Sequence, residues 1–314
     1  MFDIITFGSG VIDIFVDTHL REQKHKLIYP VGSKILIKNL RYDVGGGGTN
    51  TAVSFSRLGF KTGWIGKVGN DSQGKQVLDC IKKEKVSFLG KTSHLKTGCS
   101  IILDSMEHER TILTYKGEND NISFEEISQK NAKWYYFSSM VGESFKTQKK
   151  LARYVKSQGI NLCFNPSEYQ LKDPSVKDII KNTDILIFNK EEAELLTGKK
   201  DLNDMFMAIH KLGPVISCIT DGKNGNYCSD MEKIYRLEAS KTKPIERTGA
   251  GDAFASGFLA ALIKTGNIEL AMQIGSTNAE SVIKYFGAKN KLLTWSEATN
   301  NVTKHPFRIT ERLL

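Results

Sequence analysis

Strand-like apolar runs alternate with helical patterns along most of the 314 residues, and this alternation limits the folds open to the chain. "DIITFGSGVIDIFV" opens as a buried strand. "TNTAVSFSRLG" spaces its apolar residues as a helix ending at Gly59, and "TGWIGKVG" follows as a short strand. "DSQGKQVLDCIKKEK" starts on an Asp N-cap and continues with helical spacing. "KWYYFSS" and "INLCFNPS" are strands on either side of an amphipathic helix, "FKTQKKLARYVKSQG", closed by Gly159. "DILIFNKEEAELLTG" is a buried strand running into a helix, and "PVISCITDGKNGNYCSD" is strand, turn, strand. The pattern predicts repeated βαβ units around a mostly parallel sheet, an α/β fold. Residues 14–40 and 96–115 break the rhythm and predict a small β subdomain, with "SMEHER" as a polar turn. Internal repeats and Pro/Ser-rich linkers are absent from the sequence, so residues 1–314 are expected to form a single domain.

The net charge of +9 raises nucleic-acid binding, but the Lys and Arg residues are scattered and mixed with acids, as in "CIKKEKVSF". No dense basic run with interleaved aromatics is present, so no nucleic-acid partner is expected. No apolar run approaches the ~20 residues that span a bilayer, so no membrane partner is expected. "MFDIITFGSG" carries Asp3 and lacks the basic region of a secretory signal, and a cytoplasmic location is expected. The five cysteines form no CxxC pair, which argues against a zinc site or a disulfide framework.

Four segments place chemically suggestive residues where strands end and helices begin. In "YDVGGGGTNTAVSFSRLG" four consecutive glycines permit close approach of a ligand, and Asn50 offers both donor and acceptor to a polyhydroxyl molecule. A hinge followed by an ordinary helix start reads equally well. Asp13, at the end of the first strand, could accept hydrogen bonds from the same ligand or be a turn acid. "FNKEEAELLTG" delivers Asn189 and Glu192 to a helix start, where the helix dipole alone favours an acid and where a carboxylate and an amide could hold a hydrated metal near phosphates. "ITDGKNGNY" puts Thr220, Gly222 and Gly225 in a turn that suits a hairpin and could also admit nucleotide phosphates.

"RTGAGDAFASGF" is the fourth. Gly249, Ala250 and Gly251 can present bare N–H groups at a helix N-terminus, an anion site. Asp252 beside them would repel a phosphate as a ligand but suits a base for a neutral hydroxyl that attacks phosphorus. The alternative is an N-capping Asp on a closely packed helix. No GxxxxGK[ST] loop is present.

Together these segments resemble the ribokinase-like (PfkB) family of carbohydrate and nucleoside kinases, from "GSGVIDIFVD" to "YFGAKN". "GGGGTNTAVSFSRLGFKTGWIGKVGNDSQGK" resembles its N-terminal signature, "TGAGDAFASGF" its C-terminal one, "NKEEAELLTG" its metal-associated Asn-x-x-Glu motif and "ITDGKNG" its nucleotide loop. The resemblance implies a Rossmann-like three-layer α/β/α domain with a β-sheet lid formed by the two segments that break the rhythm. It implies Asp252 as catalytic base and the Gly249–Gly251 backbone as anion hole. Asp13, Gly46, Gly47 and Asn50 would hold the sugar. Asn189 and Glu192 would organise hydrated Mg²⁺, and Thr220, Gly222, Gly225 and Asn278 would line the ATP site. A homodimer through the lid is a further implication. The sequence departs from the family at "IERTGAGD": Glu246 stands where a shorter acid helps bind potassium, and Arg247 replaces a small polar residue. That departure puts potassium activation in question.

The expected activity is ATP- and Mg²⁺-dependent phosphorylation of a hydroxyl on a sugar or sugar derivative. A nucleoside kinase on the same scaffold, with Phe15, Tyr29 or Tyr115 in a base slot, is the enzymatic alternative, and a catalytically silent binding protein is the other. Arg110, in "HERTILTYKGENDN", is a candidate contact for an anionic substrate or a surface hairpin charge.

Overall fold

The computed structural model describes residues 1–20, 24, 26–105, 110–128, 130–240 and 242–314. The first third of the chain contains β1 (Phe2–Phe7), β2 (Val11–Leu20), β3 (Asn39–Gly45), α1 (Gly47–Arg57), β4 (Thr62–Ile65), β5 (Lys67–Gly69), α2 (Ser72–Lys83), β6 (Ser87–Phe88), β7 (Lys91–Ser93), β8 (Gly98–Ser105) and β9 (Arg110–Tyr115). There follow β10 (Ala132–Ser138), α3 (Gly142–Ser157), β11 (Asn161–Asn165), α4 (Glu168–Leu171), α5 (Lys177–Ile180), β12 (Ile185–Asn189), α6 (Lys190–Thr197), α7 (Leu202–His210) and β13 (Ile216–Thr220). The chain ends with β14 (Asn226–Ser229), β15 (Lys233–Leu237), α8 (Ala250–Thr265), α9 (Ile268–Ile283), α10 (Trp295–Lys304) and β16 (Ile309–Leu313).

The main sheet has ten strands in the order β16-β15-β14-β13-β12-β11-β10-β1-β4-β6. It is parallel from β6 to β13, and antiparallel from β13 to β16. Its inner strands, β1, β4 and β10 to β13, are largely buried on both faces, which is why they read as continuous apolar runs. On β10, Tyr135 and Phe137 join a core beneath α3, α5, α6 and α7, with Phe164, Phe188 and Phe206. Tyr136, between them, joins the opposite core with Phe55, Phe254 and Phe258 beneath α1, α8, α9 and α10. The period-two alternation of the strands thus builds three layers.

The second sheet, of order β3-β2-β8-β9, draws on the two stretches without helical spacing, although β2 begins at Val11 and β3 runs on to Gly45. Residues 106–109 of the "SMEHER" turn lie outside the described residues. Asn119 ties this sheet to the domain: its Oδ1 accepts from the Gly10 N–H (2.9 Å), and its Nδ2 donates to the Gly10 and Lys116 carbonyls. Arg41 of β3 lies over the Phe286 ring, 4.1 Å from its centroid.

Strand order changes direction at β1, the first strand, which lies between β10 and β4; the crevice beyond the carboxyl ends of the strands is where such sheets bind ligands. Helix α1 crosses there in close contact with β1. A Cβ on Gly48 would lie 2.3 Å from the Gly8 carbonyl carbon. Gly48→Ala is therefore expected to lower stability by about 1–3 kcal/mol, the usual cost of overpacking. Thermal unfolding checks this; an unchanged midpoint would show that α1 can move away from β1 freely.

Candidate active site

A cavity of about 400 Å³ opens at that crevice. Strand ends supply much of its lining: Ser138 closes β10 and Ser139 follows it, Asn165 closes β11, Asn189 closes β12 and Thr220 closes β13. Ser9, Gly47, Lys116, Tyr169 and Glu192 also line it, as do Gly249, Gly251 and Asp252 from the start of α8. Of the residues predicted from sequence, the structure therefore brings together Gly47, Asn189, Glu192, Thr220, Gly249, Gly251 and Asp252.

Gly249 caps α8 in the left-handed region (φ 81), and a Cβ there would lie 2.4 Å from that of Ala288. Glycine meets both demands. The Ala250 N–H closes a turn on the Arg247 carbonyl at 3.2 Å. The N–H groups of Gly251 and Asp252 follow in the first turn, where a helix has no internal acceptor for them. Before this turn the Glu246 carboxylate, 7% exposed, accepts from the Thr248 N–H at 2.7 Å.

Asp252 is half-buried, and its Oδ2 accepts from Asn50 Nδ2 at 2.8 Å. Burial pushes its carboxyl above the ordinary carboxylate value, against the Asn50 hydrogen bond and the charge of Lys289. Asn50, expected to reach a polyhydroxyl ligand, is 4% exposed; its Oδ1 accepts from Lys289 Nζ at 2.5 Å. Gly46 caps α1 at φ 95, and a Cβ on it would lie 2.5 Å from the Ser9 carbonyl oxygen.

Asn189 and Glu192 form a capping box. Glu192 N–H donates to Asn189 Oδ1 (2.8 Å), and Asn189 N–H donates to Glu192 Oε2 (2.9 Å). Burial raises the Glu192 pKa. The box turns both residues to the cavity wall. The donor set fits hydrated magnesium: a carboxylate flanked by the Asn165 and Asn189 amides gives oxygen ligands, and magnesium keeps most of its waters. No cluster of three metal-ligating His, Cys, Asp or Glu side chains occurs among the described residues.

Other predicted residues lie elsewhere. Asn278 is a correction. It was expected at the nucleotide site, but it is fully buried, with Nδ2 donating to the Ala253 carbonyl (2.8 Å) and Ser54 Oγ (3.2 Å) and Oδ1 accepting from the Leu293 N–H. It joins α9 to α1 and α8 and has no polar atom to spare for a nucleotide. Gly222 and Gly225 shape the turn of the β13–β14 hairpin, where Gly225 is buried against the Leu237 carbonyl and Gly222 is exposed. Arg110 begins β9, opposite Asp104; its side chain lies outside what the structure describes. Phe15 is buried, whereas Tyr29 and Tyr115 are exposed.

Asp13, 5% exposed, lies in a cross-strand row with Asp43 of β3 and Ser100 of β8. Burial pushes its carboxyl up to about 6, opposed by Lys289 and a hydrogen bond from Ser100. The sequence reading missed Ser9, Lys116, Ser138, Ser139, Asn165 and Tyr169. For Ser138, Ser139 and Asn165 the signal was present: each sits where an apolar strand run meets its first polar residues. It also missed Lys289, whose only signal was its place in "YFGAKN".

A model of the pfkB family of carbohydrate kinases matches residues 3–295. An uncharacterized sugar kinase of Archaeoglobus fulgidus is 29% identical over 249 residues, covering 76% of this chain and 98% of that protein. The ribokinase of Bacillus subtilis is 26% identical, covering 95% and 98%. The structure of Arabidopsis thaliana ribokinase complexed with ribose and ATP superimposes with a TM-score of 0.81 at 20% identity, over 95% of this chain and 97% of that one. The chain belongs to the pfkB family of carbohydrate kinases and is a phosphotransferase of the sugar and nucleoside kinase type with a ribokinase-like fold. No helix among the described residues is long and apolar enough to cross a membrane.

The buried Asp13 generates a prediction. Its pKa is about 6 when folded against an ordinary value of 3.8, so the folded state holds the proton more tightly. Stability then falls as pH rises between those values, and above them the full penalty, about 3 kcal/mol, applies. Asp13→Asn is expected to melt above wild type at pH 7.5, with the gap closing by pH 4. Parallel thermal scans check this, and equal midpoints at pH 7.5 would show that the ionised carboxylate is fully compensated in its site.

Proposed function

We infer that this protein transfers the γ-phosphoryl group of ATP to a hydroxyl of a sugar or sugar derivative, with Asp252 as general base. One observation carries the reading: a carboxylate of raised pKa lies beside the free N–H groups of a helix N-terminus, in a cavity lined by strand-end hydroxyls and amides. The two halves of that arrangement have opposite tasks. Asp252 takes the proton of the attacking hydroxyl as its oxygen bonds to the γ-phosphorus. The bond from that phosphorus to the bridging oxygen breaks, its electron pair leaves with ADP, and the Gly251 and Asp252 N–H groups face the charge on the transferring group.

Glu192 with Asn189 would hold hydrated Mg²⁺, which supplies charge neutralisation at the phosphates when bound. Lys116, whose ammonium lies 5.8 Å from the Tyr169 ring centroid, adds a cation to the same wall. The second sheet would act as a lid that excludes water, a competing acceptor. Its row of Asp13 and Asp43 gives hydrogen-bond acceptors suited to a polyhydroxyl molecule.

ADP release from Mg-ATP across pentoses, hexoses, ketoses, sugar acids, sugar phosphates and nucleosides tests the reading. A signal is expected only with a particular acceptor, and a nucleoside-only signal would transfer the assignment to nucleosides. Asp252→Asn should bind ATP but turn over roughly 10²–10⁴-fold more slowly. Because the base must be ionised, kcat/KM should fall as pH drops through a value above the ordinary ~4 of an aspartate. Wild-type turnover in Asp252→Asn would sink the role given to it.

A further inference from the structure

Lys289, in the "YFGAKN" stretch, has no role expected from the sequence, yet it hydrogen-bonds to Asn50 beside Asp252. Its side chain is 5% exposed. Its Nζ donates to the Val44 carbonyl at 2.6 Å and to Asn50 Oδ1 at 2.5 Å, while Asn50 Nδ2 donates to Asp252 Oδ2 at 2.8 Å. An ammonium can only donate and a carboxylate can only accept. The amide between them therefore has one orientation, oxygen toward Lys289 and nitrogen toward Asp252. Oδ1 of Asp252 faces another way: a Cβ on Gly47, which lines the cavity, would lie 3.4 Å from it.

We propose that Lys289 is a positioning residue for the transfer reaction, locking the Asn50 amide so that Asn50 occupies Oδ2 of Asp252 and Oδ1 is left to take the substrate proton. The proposal rests on Asp252 being the base. Without the ammonium the amide is held from one end only, by the hydrogen bond to Asp252, and its oxygen loses the donor that pins it. The side chain's charge acts in the same direction as its geometry. The titratable groups facing the pair are Asp13 and Asp43 from the second sheet, Cys80 and Glu84 from α2 and its end, and Tyr136 from β10; Glu246 adds its charge at Asp13. Lys289 sets a positive charge among these acids, favouring the ionised form of Asp252 and opposing the burial that raises its pKa. A buried, hydrogen-bonded cation that served packing alone would be replaceable by an apolar side chain of similar length.

Two variants separate the contributions. Lys289→Met removes both donor and charge; Lys289→Gln keeps a donor within reach of Asn50 but no charge. Both are compared with wild type and Asp252→Asn in kcat and KM as functions of pH, with thermal unfolding in parallel. Lys289→Met is expected to lose kcat roughly tenfold or more, with a much smaller change in acceptor KM, and to move the acid limb up by about one pH unit. Lys289→Gln should recover part of kcat while keeping the shifted limb, and it carries the test if Lys289→Met does not fold. A second readout needs no acceptor: the ¹³C carboxyl signal of Asp252, assigned by its loss in Asp252→Asn, should titrate about one unit higher in Lys289→Gln. A folded Lys289→Gln with wild-type kcat and an unmoved Asp252 titration overturns the positioning role. Undiminished turnover in Asp252→Asn instead overturns the base assignment beneath it.

Discussion

The contact between Gly8 and Gly48 sets the geometry on which the site depends. Backbone meets backbone there, and Thr6 Oγ1 donates to the Gly48 carbonyl at 3.1 Å, so the first turn of α1 lies directly on the end of β1. That places Gly47 at the cavity and turns Asn50, one helical step on, toward α8. Helix α8 is fixed to α1 in turn: Ser256 Oγ donates to Ser54 Oγ at 2.7 Å, and Asn278 of α9 donates to the same oxygen. Asn50 and Asp252 stand 202 residues apart in sequence, yet their hydrogen bond follows from two helix contacts made by small residues.

The same closeness concentrates charge. Asp13 and Asp43 face each other across β2 and β3, a pairing of like charges that costs stability in any sheet. Lys289 feels the charges of Asp13, Asp43 and Asp252 together, so the site is a cluster whose acids outnumber its cation. Hydrophobic replacements at these positions would be expected to suit folding better. The surrounding structure makes the cluster tolerable. The core residues on both faces of the main sheet are almost wholly buried and apolar, and the cluster of charges lies outside them. Such a division, with an apolar scaffold beneath a polar, electrostatically costly crevice, is what the base proposed at Asp252 would require, since it must be ionised and yet shielded from water.

Much of the fold was legible because it rests on local rules. Alternating strand and helix patterns gave the parallel part of the sheet, Asp71 announced the start of α2 and caps it through the Gly74 N–H, and Gly198 ends α6 in the left-handed region. The antiparallel edge was half legible. The β13–β14 hairpin follows from "DGKNG", whereas β16 is an exposed, charged strand, ITERL, whose partner β15 lies over 70 residues earlier. For the site, residues carried by the glycine motifs were legible, since a glycine run at a helix start announces close approach. Lys289 and Asn278 show the limit. Both are polar residues near the C-terminal end, and nothing local distinguishes the one that reaches Asn50 from the one that pins helices together. Only long-range packing separates them: Asn278 falls on the face of α9 that meets α8, while Lys289 follows the turn at Gly287 and reaches back to α1.

The capping box at Asn189 and Glu192 bears on how such sequences are read. An acid three residues after an Asn at a helix start satisfies two backbone donors, and that is reason enough for its presence. Here the two hydrogen bonds also fix the direction of both side chains at the end of β12, against a cavity they line. Asn50 is similar: a helix-start residue by position, and by contact a bridge between an ammonium and a carboxylate. In both cases the structural role is what orients the side chain. A side chain held by its own helix gives up conformational freedom during folding, so that loss is not incurred again when a ligand arrives.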